Sequence, residues 1–199
     1  MLINHETLVL WVDAIGYTGV STIIFVETGL FFGFFLPGDS LLFLAGLLAS
    51  RDLFNIWTLL SCLVAASFLG YLFAYCFGHK LGNWLLHRPD TFWYKKRYMN
   101  KAHDFYKRLG NKAILLGRFV PVVRTFCGIV AGMVKMPFKR FILYNLLGSL
   151  LWVCLITVLG YFVADAFPQL LDYMVVAVLS LIVITIIVPI IQERRKKNS

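Results

Sequence analysis

The sequence predicts an all-α integral membrane protein, and three observations carry that reading. Of its residues 60% are hydrophobic and only 15% are charged, a balance that a water-exposed surface does not need. Uncharged runs at 53–77, 141–164 and 173–191 are long enough to cross a bilayer, which takes roughly 20 helical residues. Two further apolar stretches, 19–50 and 113–135, are broken by proline and glycine and carry charge. The expected architecture is an inverted repeat in a single membrane domain covering 1–199. It has two facing re-entrant helical hairpins, about three full transmembrane helices, and amphipathic interfacial helices.

Residues 1–18 have no basic leader region, so they do not read as a cleavable signal peptide. Leu8, Trp11, Val12 and Ile15 share one helical face with Glu6 and Asp13 off it, which predicts a short interfacial helix. The stretch 19–50 is too long for one span and short for two. Pro37 removes a backbone donor and Gly38 permits a turn. Unwound backbone at membrane depth is tolerated only where protein or a water-filled cavity covers it. The stretch therefore reads as two half-helices meeting at a tip, with Asp39 placed to cap the second. The span 53–77 follows, with Ser67 and Gly70 allowing close helix approach.

Residues 79–112 hold nine Lys or Arg against two acids, Asp90 and Asp104, within a chain of net charge +9. Such a loop belongs on the cytoplasmic side. Tyr98, Ala102, Phe105 and Leu109 recur at helical spacing, predicting an amphipathic helix along the membrane face that ends at Gly110. The segment 113–135 carries Arg118 and Arg124 around Pro121, with Gly128 and Gly132 beyond, and is basic at both ends. It reads as a second hairpin, entering from the opposite side. The span 141–164, an acidic turn around Asp165 and Asp172, the span 173–191 and a basic cytoplasmic tail at 192–199 complete the count. Phe35-Leu36-Pro37 with Ala45-Gly46 echoes Phe119-Val120-Pro121 with Ala131-Gly132. Paired broken segments of opposite orientation point to a transporter with its site at the midplane.

The basic charge abuts bilayer-length runs, so it fits positive-inside topology and contact with anionic inner-leaflet lipids, not nucleic acid. Cys62, Cys76, Cys127 and Cys154 stand alone in apolar sequence and the histidines lack ligand spacing, so neither a disulfide framework nor a metal site is expected. No cofactor is implied. A homo-oligomer remains open.

Four ionisable residues lie within apolar membrane sequence: Glu27, Asp39, Arg118 and Arg124. Each costs at least about 2.5–3.5 kcal/mol at the bilayer centre, so each needs a partner, water or ligand. One reading makes them two ion pairs that hold the hairpins together, or makes Asp39 a plain helix cap. The functional reading assigns Arg118 and Arg124 to an anionic headgroup, because a guanidinium grips phosphate bidentately. It assigns Glu27 to carry a proton, with Asp39 held ionised by backbone N–H groups. Pro37, Gly38, Pro121 and Gly132 shape the breaks. Asn145 is a further polar group, reading as helix glue before ligand contact. The tryptophans, Trp152 included, read as anchors or packing.

Glu27 with Phe35-Leu36-Pro37-Gly38-Asp39 and Ala45-Gly46 resembles the first signature of the DedA membrane proteins, the SNARE-associated or VTT-domain superfamily. Gly117-Arg118-Phe119, Pro121 and Arg124, then Ala131-Gly132-Met133, Phe138, Asn145, Gly148 and Trp152 resemble the second. The resemblance covers roughly residues 15–165. It implies a multi-pass protein of the bacterial cytoplasmic membrane with a cytoplasmic C-terminus, in which the acidic pair and the arginine pair matter for function. It further implies a transporter or flippase of lipid phosphates, undecaprenyl phosphate first, coupled to the proton motive force, with a phosphatidylethanolamine or general phospholipid flippase or scramblase as alternative. A proton-coupled exchanger of small ions or drugs is a second alternative, opposed by the two arginines for a cationic substrate. A membrane enzyme is disfavoured because every histidine lies outside the charged membrane segments. A scaffold without transport would tolerate charge-neutral changes at the four positions.

Overall fold

The computed structural model describes residues 5–30, 38–86, 96–166 and 180. Seven α-helices occur among them: α1 (His5–Gly29), α2 (Gly38–Ala49), α3 (Ile56–Leu86), α4 (Lys96–Leu109), α5 (Ala113–Leu116), α6 (Pro121–Met133) and α7 (Phe138–Ala166). Three-residue 3₁₀ turns at Gly110–Lys112 and Gly117–Phe119 flank α5. Two helices are long and apolar enough to cross a membrane, over Ile56–Lys80 and Phe138–Ala164. Apart from Ser180, the expected span at 173–191 and the tail at 192–199 lie outside the described residues, as does Pro37.

One expectation is corrected at the start of the chain. α1 runs unbroken from His5 to Gly29, so the described part of the stretch 1–18, residues 5–18, does not form a separate interfacial helix. Gly16 and Gly19 each cost about 1 kcal/mol against alanine inside a helix, too little to end one whose apolar pattern continues.

The second broken segment is divided into short pieces. α5 is a single turn, and the chain then tightens into the 3₁₀ turn that carries Arg118. Val120 is extended at φ −113°, and Pro121 opens α6 at its first position. There the missing N–H is one the helix would leave unbonded anyway.

α2 and α6 end in the same way. Asp52 and Lys135 both adopt positive φ, 58° and 52°. Asp52 N donates to Ala49 O and Leu53 N to Leu48 O; Lys135 N donates to Gly132 O and Met136 N to Ala131 O. These are two Schellman caps, each followed by an apolar residue and then a long helix. Asn55 caps the first of those long helices, its Oδ1 accepting from the backbone N–H groups of Trp57 and Thr58.

The short helices pack crosswise, α2 on α7 and α6 on α3. Glycines sit at both crossings. A Cβ on Gly46 would overlap the Thr157 carbonyl, and one on Gly160 the Phe43 carbonyl. A Cβ on Gly78 would overlap the Ile129 carbonyl, and one on Gly132 the Tyr75 carbonyl. Close backbone approach of this kind is how helices gain packing where lipid is as apolar as the interior. Gly132, expected to shape the hairpin break, thus acts at the α3–α6 crossing instead.

The long helix α7 has the polarity of a membrane helix. Leu143, Leu151, Leu155 and Phe162 are more than half exposed, while Asn145, Ser149 and Thr157 are fully buried. Soluble helices do the reverse.

Candidate functional site

The ionisable residues expected in the membrane converge, but not as two matched pairs. Arg124, in the first turns of α6, forks between two carboxylates from different elements. Its Nη2 donates to Glu27 Oε1 on α1 at 2.5 Å, and its Nη1 to Asp39 Oδ1 on α2 at 2.6 Å. Trp152 on α7 adds a third wall: its Nε1 donates to the same Asp39 oxygen at 2.8 Å, and its ring lies 4.5 Å from the Arg124 guanidinium carbon. Glu27 and Arg124 are buried, whereas the Asp39 side chain is 46% exposed. Asp39 was expected to cap α2. It lies instead in the first turn of that helix, with its carboxylate spent on Arg124 and Trp152.

Gly38 makes the approach of α2 to α1 possible. A Cβ there would run into the Glu27 carboxylate, so any other residue would push the helix start away. The second Glu27 oxygen, Oε2, lies against the Gly38 backbone and has no side-chain donor among the described residues.

Arg118 is held apart from the acids. It is 1% exposed; its Nη1 donates to Ser67 Oγ and its Nη2 to Asn145 Oδ1, each at 2.6 Å. Its guanidinium carbon lies 4.2 Å from the Tyr71 ring centre. No carboxylate pairs with it among the described residues, and its Nε has no acceptor. The two-ion-pair arrangement is therefore corrected: one arginine takes both acids and the other takes none. Fully ionised, the Arg124 cluster carries one net negative charge and Arg118 one positive charge.

Asn145 acts as glue, its Nδ2 donating to the Phe68 carbonyl at 3.0 Å while its oxygen holds Arg118. Tyr71 joins the two centres: its ring lies under Arg118 and its hydroxyl donates to the Arg124 carbonyl at 2.8 Å. Tyr71, Ser67 and Trp152 were not among the site residues expected from sequence. A tyrosine and a serine in an apolar span, one helical turn apart, are a polar signal, but nothing in the sequence says that both turn toward Arg118.

The first turns of α2 and α6 meet through the Asp39–Arg124 pair, so two helix N-termini, with their unpaired N–H groups and positive dipole ends, approach one region. These features define a class: an all-helical membrane protein with interrupted helices gathered around buried charges.

The chain belongs to the DedA family of membrane proteins. The VTT domain model matches residues 36–162. Protein DedA of Escherichia coli K12 is 39% identical over 191 residues, 95% of this chain and 85% of that protein. Inner membrane protein YqjA of the same organism is 36% identical over 163 residues, 79% of this chain and 71% of that protein. An uncharacterized membrane protein of Mycobacterium tuberculosis H37Rv is 36% identical over 149 residues, 74% of this chain and 65% of that protein. No solved structure matches the chain.

Proposed function

We propose that this protein moves lipid phosphates across the bacterial cytoplasmic membrane, undecaprenyl phosphate foremost, driven by the proton motive force. The observation that carries the reading is Arg118: a buried guanidinium with neutral partners and no acid among the described residues. A buried charge without a counter-ion is costly, and a phosphate offers the matching charge and bidentate geometry. The two helix N-termini that meet at Arg124 favour the same anion.

The Arg124 cluster supplies the coupling. Protonation of Glu27 removes one of the two ionic contacts on Arg124 and leaves that arginine able to turn to a headgroup. In this reading the broken segments are facing re-entrant hairpins, the repeat is inverted, and the basic loop and C-terminus are cytoplasmic. Anionic inner-leaflet lipids bind the basic loop. Exchange of a small cation or drug is the second reading, favoured by the exposure of Asp39.

The test is lipid translocation in proteoliposomes, with undecaprenyl phosphate and phosphatidylethanolamine assayed separately, with and without a pH gradient. Gradient-dependent movement of undecaprenyl phosphate, lost in Arg118→Ala and Arg124→Ala, is the expected result. Movement of both lipids without a gradient would make the protein a scramblase. Movement of neither lipid would leave the exchanger.

A further inference from the structure

The two carboxylates on Arg124 are not held alike, and the difference lies in α7. Asp39 Oδ1 accepts twice, from Arg124 Nη1 at 2.6 Å and from Trp152 Nε1 at 2.8 Å. Glu27 Oε1 accepts from Arg124 Nη2, and Oε2, which lies against the Gly38 backbone, has no side-chain donor among the described residues. Trp152 itself is 1% exposed and belongs to one buried cluster with Ile24, Leu42, Ala45, Leu59 and Leu63. Its indole cannot swing away without opening that cluster. Its ring also covers one face of the Arg124 guanidinium, 4.5 Å from the centroid to the guanidinium carbon, an arrangement that favours the cation staying where it is.

We propose that Trp152 is a positioning residue that fastens Asp39 to Arg124, so that Glu27 is the carboxylate that lets the guanidinium go. When the cluster takes a proton from water, the proton goes to Glu27. The Nη2 contact is lost, and the Nη1–Asp39–Nε1 chain remains. The other groups around the cluster do not compete for this role. From α3, Tyr71 spends its hydroxyl on the Arg124 carbonyl. Arg118 lies against Ser67, Asn145 and the Tyr71 ring. Cys127 on α6 donates to the Ala113 carbonyl. From α7, Trp152 does not titrate.

The inference deepens the proton-coupled reading and rests on it for its consequence, but its test needs no transport. Infrared difference spectra of the purified full-length protein in bilayers are recorded on acidification, following the protonated-carboxyl band. In the unaltered chain the band should vanish in Glu27→Gln and persist in Asp39→Asn. Trp152→Phe keeps a ring over Arg124 and removes the N–H. In that background a band should survive Glu27→Gln and disappear with Asp39→Asn. A structural role alone would not transfer the band between carboxylates. A band that follows Asp39 in the unaltered chain would overturn the proposal, as would a Trp152→Phe variant whose band still belongs wholly to Glu27. Indole N–H resonances of the unaltered chain give a second reading that needs no tryptophan variant. One of them should move in Asp39→Asn and none in Glu27→Gln; the opposite pattern would overturn the proposal. Loss of lipid transport with these spectra intact would fault the transport reading and not the role of Trp152.

Discussion

Asn145 shows how a single amide serves two helices and a charge at once. Its oxygen accepts from Arg118, and its nitrogen donates to the Phe68 carbonyl on α3. Asn145→Leu removes both bonds and leaves a buried guanidinium with one hydrogen bond fewer. Hydrogen bonds to charged groups contribute about 1.5–3 kcal/mol, so the variant should lose on the order of 2–3 kcal/mol, read as a lower unfolding midpoint in detergent. Asn145→Asp should hold the fold at least as well as asparagine does, because it supplies the acid that Arg118 lacks. It should also abolish transport, because a permanent counter-ion takes the place proposed for phosphate. Transport at the unaltered rate in Asn145→Asp would contradict the assignment of Arg118.

At the scale of elements, the crossings of α2 with α7 and α6 with α3 depend on glycines whose neighbours are backbone atoms. Backbone cannot step aside as the end of a side chain can. Gly46→Ala and Gly132→Ala should therefore each cost about 1–3 kcal/mol, the usual penalty for overpacking. Gly19, within α1, has nothing within 4 Å of where its Cβ would stand. Gly19→Ala should raise stability by up to about 1 kcal/mol through helix propensity alone. Melting of the three variants side by side checks the contrast. Equal effects at all three positions would mean that the crossings are not tightly packed. The paired Schellman caps belong to the same scale: each ends a short helix and starts a long one, so both halves of the chain turn by the same backbone device.

For the whole molecule, the question is which ends of α3 and α7 face which compartment. The 25 residues of Ile56–Lys80 rise about 37 Å at roughly 1.5 Å per residue, enough to separate the exposed turn at Arg51 and Asp52 from the exposed Lys107 and Arg108 of α4. With Cys62, Cys76, Cys127 and Cys154 replaced, a cysteine at Asp52 should react with an impermeant maleimide in intact cells. A cysteine at Lys107 should react only after the membrane is opened. Reaction of both from outside would contradict the placement of the basic loop.

The sequence by itself determined the class of protein, the helical character of the described residues and the break before Pro121. Each of these follows from local properties: the length of uncharged runs, the missing donor at Pro121, and the cost of charge in apolar sequence. It also singled out Glu27, Asp39, Arg118 and Arg124, because four ionisable groups in such surroundings stand out without any structure. It did not show that α1 is continuous through its glycines, since propensity differences of that size are settled by packing. Only the tertiary structure decided who pairs with whom. Arg124 takes both acids and Arg118 takes Ser67, Asn145 and the ring of Tyr71, because α2 folds onto α7 and α6 onto α3. Trp152 is the clearest case. In the sequence it closes the second signature and reads as an anchor or packing; in the fold, the crossing of α2 and α7 brings its indole N–H to Asp39, more than a hundred residues away in the chain. Pairing over such separations depends on which helix faces meet, and that is a property of the whole packed bundle.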